Sequence, residues 1–408
     1  MHAARVWAEV RLDRLAHNLG CLRRALAPGV QLMAVVKADA YGHGAVPVAR
    51  ALLAAGADRL GVGDSTEALE LRAAGVRAPI HVLGALIEAE IDDVIRHRVT
   101  PTVHSLARVH LLVRRARALG RAVPVHIMVD TGMGRLGVRP ESARRLAAAV
   151  AGAAPWLVLE GVATHLSAAD AEDEAFTREQ LVRFGQTLRD LRAAGLVPPL
   201  VHAANSAGLL RYPASHHTLC RPGIALYGME PSPHVRAPGP GLLPVLALKS
   251  QVVFLKRVEA GTPLSYGATY RTSRPTVIAT VPVGYNDGYP LALSNRAEAL
   301  VRGRRVPVVG RVTMDYLLLD VGGVPGVHVG EVVTLIGAQG GEEIRVEELA
   351  ARAGTLPYEI TCRLGRRVRR LYLEGPAPVR RAAGAGRRHE PAPAPGRRRP
   401  RAGGAECA

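Results

Sequence analysis

The stretch from Leu32 to Gly44, "LMAVVKADAYGHG", runs five apolar residues into a lysine and then into a loop with an aromatic and two glycines. A short apolar run that stops at such a loop reads as a buried strand. Lysine is a poor residue for the end of a buried strand, because burial disfavours its charged form and lowers its pKa. A lysine with its stem on apolar surface and its amine in water would also fit this position. Which of these Lys37 is depends on what surrounds it.

Similar runs recur along the chain. They are "RLGVG" (59–63), "PIHVLG" (79–84), "VTPTVH" (99–104), "VPVHIMVD" (123–130), "LEGVATH" (159–165), "LVHAAN" (200–205) and "LCRPGIAL" (219–226). Amphipathic stretches such as "SLARVHLLVRRARALG" and "REQLVRFGQTLRDLRAAG" lie between them. Strand-like runs alternating with helical patterns predict parallel strands with helical crossovers. Eight such strands close a (β/α)8 barrel of TIM type, and about 240 residues is an ordinary size for one. Lys37, Asp64, His104, Asp130, His165 and Asn205–Ser206 fall at or just past the ends of these runs, with Arg221 early in the last. C-terminal strand ends of a barrel face its active site.

Beyond residue 240 the apolar period changes to two, as in "VLALKSQVVFLKRV", "TVIATVPVG" and "EVVTLIG". The expected architecture is therefore α/β: a barrel over 1–240 and a mostly-β domain over 241–375, with residues 5–11 a candidate extra strand of the second. Residues 376–408 are rich in Pro, Ala, Gly and Arg and are expected to be disordered.

Of 53 basic residues only three are lysines, Lys37, Lys249 and Lys256. The formal net charge is +18, but no nucleic-acid motif accompanies it. The four cysteines are far apart, without a CxxC pair, which excludes a metal knuckle and argues against a disulfide framework. Charges interrupt every apolar run of the N-terminus, so neither a signal peptide nor a membrane anchor is expected, and the cytoplasm is the expected compartment.

A desolvated lysine is a nucleophile that forms a Schiff base with an aldehyde. The widespread aldehyde cofactor is pyridoxal 5'-phosphate (PLP), which also needs a phosphate cradle and a partner for its ring nitrogen. "ANSAG" (204–208) places a hydroxyl at a helix start, and "RPGIALYG" (221–228) offers glycine-flanked N–H groups; both suit an anion.

"AVVKADAYGHG" resembles the PLP-lysine signature of alanine racemases. "DTGMGRLG" (130–137), "HAANSAGLLR" (202–211), "RPGIALYG", "LSYGATY" (264–270), "VPVGYNDGYPLALSN" (281–295), "VGRVTMDYLLLDV" (309–321) and "LPYEITCRLGRRVRRLY" (356–372) are similar to the family in the same order. The resemblance covers roughly residues 5–373 and implies a PLP-dependent isomerase that interconverts L- and D-alanine, supplying D-alanine for peptidoglycan. Lys37 matches the PLP lysine and one catalytic base. Tyr266 matches the opposite base, which reaches the site from the partner subunit of a homodimer. Arg135 and Met314 match the groups that hold the substrate carboxylate, Met314 through its backbone N–H from the partner. Arg221 matches the arginine at the pyridine nitrogen, with His165 beside it. Tyr41, Ser206, Gly223, Ile224 and Tyr358 match the phosphate-binding set, and Tyr285 and Tyr289 match tyrosines lining the site's entry. No metal is implied.

The physics of these roles is coherent. Racemisation removes a proton from one face of a carbon and returns one to the other; a single base on one side does this badly, so two groups on opposite faces are natural. Lysine and tyrosine both titrate near ~10 when unperturbed, so each must be tuned downward to act near neutrality. One position departs from the family pattern: Met128 stands where many members have a lysine that is carbamylated to orient the arginine. Methionine cannot be carbamylated, so either another anion or packing alone must orient Arg135. Thr313, often cysteine in relatives, is a milder change. A serine racemase of the same architecture is the nearest alternative. A PLP-dependent decarboxylase should lack the "LSYGATY" tyrosine, and a noncatalytic PLP-handling barrel protein should lack a β domain.

Overall fold

The structure, a computed structural model, describes residues 4–239 and 241–375; the tail expected to be disordered lies outside them. Strand β1 (Val6–Arg11) comes first and is followed by eight parallel strands: β2 (Gln31–Val35), β3 (Arg59–Val62), β4 (Ile80–Val82), β5 (Thr100–Val103), β6 (Val123–Met128), β7 (Leu157–Ala163), β8 (Leu200–His202) and β9 (Leu219–Cys220). Their order is β8-β7-β6-β5-β4-β3-β2-β9. The two ends meet through Thr218 N–H donating to the Val201 carbonyl (3.1 Å) and Arg221 N–H donating to that of Ala204 (2.9 Å). Eight short, β-branched runs thus wrap into a barrel.

The last run is shorter than its sequence suggests. Pro222 removes a ladder donor and the chain turns at Gly223 into a 3-10 turn, Ile224–Tyr227, so the strand stops at Cys220. Arg221 therefore sits at the end of a strand rather than inside one. The crossover helices follow their capping signals. The helix Leu106–Ala118 starts where the Ser105 side chain accepts from Arg108 N–H, and it buries Val109, Leu112 and Ala116, one face at helical spacing.

A second sheet lies beside the barrel. Strand β1 pairs antiparallel with Leu246–Gln251 and parallel with Arg369–Leu373, and the sheet extends outward through Val332–Gln339, Glu298–Val301 and Arg304–Pro307. A three-stranded sheet (Phe254–Val258, Thr276–Val281, Leu317–Asp320) and a hairpin (Pro263–Leu264 with Tyr270–Arg271) complete it. One continuous apolar cluster joins residues of the barrel and of the second sheet. The helix Pro357–Cys362 returns from the β region to pack on the segment after β2. No helix among the described residues is long and apolar enough to cross a membrane.

Candidate active site

Lys37 follows β2 by two residues, and the chain then does something unusual. Ala38, Asp39, Ala40 and Tyr41 all have φ near +53° and ψ between 38° and 52°, a complete left-handed turn built without glycine. Each such residue costs about 1–2 kcal/mol relative to the right-handed form. Local bonds hold the turn. Glu67 accepts from Ala38 N–H (2.5 Å) and Gly63 N–H (2.7 Å), tying the ends of β2 and β3 together. Asp39 accepts from Ala45 N–H (2.7 Å), and the buried His43 donates from Nδ1 to the Tyr41 carbonyl (2.9 Å).

This turn opens onto a cavity of about 430 Å³ at the C-terminal mouth of the barrel. Lys37, Tyr41, Met128, Arg135, His165, Ser206, Arg221, Gly223, Ile224 and Tyr358 all line it. Lys37 reaches solvent within the cavity, yet protein packs around its stem. Burial, then the charge of Arg135, lowers its pKa, against the opposing pull of Glu67. The sequence feature that looked out of place is thus an amine biased toward its neutral form.

One end of the cavity suits an anion. The Gly223 and Ala225 N–H groups converge on Ser206 Oγ at 2.9 and 3.3 Å. A Cβ at Gly223 would run into the Tyr41 hydroxyl, so only glycine lets the two approach. Burial raises the pKa of Tyr41, and pushes that of Tyr358 up to about 12, so both are hydroxyl donors rather than anions at neutral pH. Tyr358 arrives on the helix from the β region, its ring 5.9 Å from that of Tyr41.

Another part of the lining is cationic. Arg221 is buried, and its guanidinium donates to the carbonyls of Thr164 (2.8 Å) and Ala203 (3.1 Å) and to Nδ1 of His165 (3.3 Å) and His202 (2.5 Å). Burial lowers its pKa to about 10, still charged at neutrality. Burial and then Arg221 bring His165 down to about 3, so His165 is neutral; with Nδ1 accepting, its proton sits on Nε2. Arg135 has no hydrogen-bond or ion-pair partner among the described residues. Asp130 accepts from Gly132 and Gly134 N–H and shapes the loop that carries Arg135.

The remaining sequence candidates lie elsewhere on the chain. Tyr266 is 71% exposed and Met314 53% exposed, and neither lines the cavity. Tyr266 sits at the tip of the 263–271 hairpin, between Ser265 (φ 61°, ψ −176°) and Gly267 (φ 73°), a backbone that pushes its ring outward. The Met314 carbonyl accepts from Asn286 N–H, while its own N–H meets no acceptor among the described residues. Tyr285 is exposed, whereas the ring of Tyr289 is buried.

Sequence reasoning missed two features. One is Glu67, the clamp on the turn. The other is a polar column of His202, His126, Glu160 and Arg59 running from Arg221 into the barrel, buried at the two histidines and half-buried at Glu160 and Arg59. The signal was present as "VH" in otherwise apolar runs, inside β6 at His126 and at the end of β8 at His202.

The chain matches the family model "Alanine racemase, N-terminal domain" over residues 10–231 and "Alanine racemase, C-terminal domain" over 245–372. An alanine racemase of Symbiobacterium thermophilum is 48% identical over 366 residues, which is 90% of this chain and 96% of that protein. The chain belongs to the alanine racemase family. Among solved structures, alanine racemase from Bacillus anthracis with bound L-Ala-P is similar with a TM-score of 0.85 and 39% identity, covering 91% of this chain and 96% of that one. Alanine racemase from Bartonella henselae with covalently bound pyridoxal phosphate is similar with a TM-score of 0.81 and 29% identity, covering 91% and 100%. As an alanine racemase family member, the chain is a PLP-dependent isomerase. Its residues fit that group: a desolvated lysine, a hydroxyl and N–H cradle that a Cβ at 223 would fill, and a buried arginine facing the cavity.

Proposed function

We propose that the chain racemises alanine by two bases drawn from two subunits, in the cytoplasm, where D-alanine is needed for peptidoglycan. The observation that carries this reading is the split of the candidate residues. Lys37 and the cofactor-binding set share one cavity, while Tyr266 and Met314 stand exposed on the β region.

Bound at Lys37, PLP supplies the electron-withdrawing ring that acidifies the α-carbon proton of the amino acid. Tyr41, Ser206, Gly223, Ile224 and Tyr358 would hold its phosphate, and Arg221 would donate to its ring nitrogen. A guanidinium is already fully protonated, so it offers a hydrogen bond and does not give up its proton readily. His165, neutral and with its proton on Nε2, would lie beside it. Once the substrate amine has replaced it on the cofactor, the freed Lys37 amine would take the α-proton from one face, and the Tyr266 phenol of a second copy would serve the other face. Arg135, with the Met314 N–H of that second copy, binds the substrate carboxylate. Met128 leaves Arg135 without a carbamate neighbour, so no CO₂-derived modification forms there. In this reading residues 1–240 form the cofactor domain and 241–375 the domain that completes a neighbour's site.

The test is the decay of the circular dichroism of L-alanine and, separately, D-alanine on incubation with the protein. Both should decay to zero, serine more slowly, and Lys37→Ala should abolish the signal change. Preferred turnover of serine would replace alanine as the substrate, and no decay with either would overturn the reading.

A further inference from the structure

The core of a barrel is expected to be apolar, yet this one carries a continuous line of polar side chains beneath Arg221. From the mouth inward, Arg221 Nη1 lies 2.5 Å from His202 Nδ1, and His202 Nε2 lies 2.7 Å from His126 Nδ1. His126 Nε2 lies 3.0 Å from Glu160 Oε2, and Glu160 Oε1 lies 3.0 Å from Arg59 Nη2. His126 and His202 are fully buried.

The proton positions along this line follow from chemistry alone. A guanidinium has only donors, so His202 must accept at Nδ1 and carry its proton on Nε2. That proton faces His126 Nδ1, which therefore accepts, leaving the His126 proton on Nε2 and aimed at the Glu160 carboxylate. A second proton on His126 would face the Nε2–H of His202 and break the contact. Both imidazole dipoles thus point the same way, bare nitrogen toward the cation and N–H toward the anion.

The fold is shaped around this line. A Cβ at Gly161 would lie 2.5 Å from His126 Nδ1, so glycine there makes room for the ring. The β6–β7 register also shifts between Val125 and His126. The other groups facing the line are neutral or already paired. His81 packs its ring 4.3 Å from that of His126 and donates to Thr102, whose own proton goes to the Val82 carbonyl. At the mouth, His165 and the Cys220 thiol flank Arg221.

Among the described residues Arg221 has no carboxylate against it; its four acceptors there are two carbonyls and two imidazoles. We propose that Glu160 is its counter-charge, a positioning residue that acts through His126 and His202 as one directed relay and holds Arg221 protonated and aimed into the cavity. Burial would raise the Glu160 pKa, but the bonds from His126 and Arg59 outweigh it and hold the carboxyl at about 2, so the anion is present throughout the working range.

The charges make the proposal testable by sign. Glu160→Gln keeps the shape and an acceptor for His126 but removes the negative charge, so the cavity becomes more positive. Arg59→Gln removes the cation that competes for Glu160, so the cavity becomes more negative. The apparent pKa values in the pH–rate profile should fall by about half a unit in Glu160→Gln and rise by a smaller amount in Arg59→Gln, the size expected of one charge acting across two rings. Shifts in the same direction in both variants, or none, would reduce the line to core packing and overturn the proposal. A second measurement stands apart from racemisation, on which the pH profile rests. Neutron diffraction from the full chain should show deuterium on Nε2, and none on Nδ1, of both His126 and His202. Deuterium on Nδ1 of either ring overturns the relay even if alanine is racemised. Correct proton positions in a protein that does not racemise alanine would leave the relay standing and sink the functional reading instead. If Glu160→Gln does not fold, Arg59→Gln and the neutron map still decide.

Discussion

The Tyr41 hydroxyl closes directly over the α-carbon of Gly223, leaving no room for a Cβ between them. Tyr41 comes from the left-handed turn after β2 and Gly223 from the turn after β9, so this contact joins two segments that line the cavity. Gly223→Ala should therefore displace Tyr41 and weaken PLP binding by tenfold or more, about 1.4 kcal/mol. The φ of Gly223 is −120°, so steric contact rather than backbone strain is the cause. Removing the hydroxyl with Tyr41→Phe should then cost less in the Gly223→Ala background than in the native one. Equilibrium titration of the cofactor into the four proteins of this double-mutant cycle measures the coupling. Additive losses would show that the contact is not shared.

The left-handed turn makes an unusual stability prediction. In an ordinary helix, Ala→Gly at an exposed site costs about 1 kcal/mol. Ala38 is exposed and has φ 54° and ψ 52°, where glycine is free of strain. Ala38→Gly should leave the protein as stable or more stable by up to about 1 kcal/mol, while Ala38→Val should destabilise it by about 1–2 kcal/mol. Urea unfolding of the three proteins reads the order directly. If glycine proves worse than alanine, the turn is not left-handed in solution.

Acid should unfold this protein earlier than its carboxylates alone would predict. His43, His81, His126 and His202 are buried and His165 is half-buried, and desolvation lowers the pKa of each, to about 4 for His43 and about 3 for His165. Below the unfolded value of ~6.5 the unfolded chain gains protons that the native one refuses. Stability is thus complete above pH ~6.5 and falls as the pH drops from there toward 4, each histidine adding up to about 1.4 kcal/mol per pH unit. The midpoint of urea unfolding, followed from pH 8 to pH 5, should be flat at first and then decline. His43→Gln should make the decline shallower. A midpoint constant down to pH 5 would contradict the neutral buried state of these rings.

Much of the cavity was readable because barrel chemistry collects at strand ends. Lys37, His165 and Ser206 each follow a short apolar run, and no knowledge of packing was needed to place them near one another. The relay beneath them was not readable in the same way. Seeing it requires knowing that His126 and His202, from strands separated by 76 residues of sequence, both face inward at the same height. The handedness of the 38–41 turn was also hidden, because Ala38, Ala40 and Tyr41 do not favour positive φ and a single Asp39 tolerates it only as an isolated residue. Its support from Glu67 comes from a neighbouring strand-helix unit. The end of β9 was misjudged because a two-residue strand has no period to read.

Whether a second copy brings Lys37 and Tyr266 into one site can be decided without any structure of a complex. Tyr266 is 71% exposed on a short hairpin and lies outside the cavity that Lys37 lines. Lys37→Ala and Tyr266→Phe should each be nearly inactive alone. If every site takes its lysine from one chain and its tyrosine from the other, a mixed dimer of the two variants holds one site with both defects and one site with none. Unfolding and refolding the two together in equal amounts should make half of the dimers mixed, and recover about a quarter of native activity by symmetry alone. The recovered activity should appear only after subunit exchange and should fall on dilution as dimers dissociate. No recovery, with exchange confirmed by differently tagged chains, would place both bases in a single chain and require the 263–271 hairpin to move to its own barrel mouth.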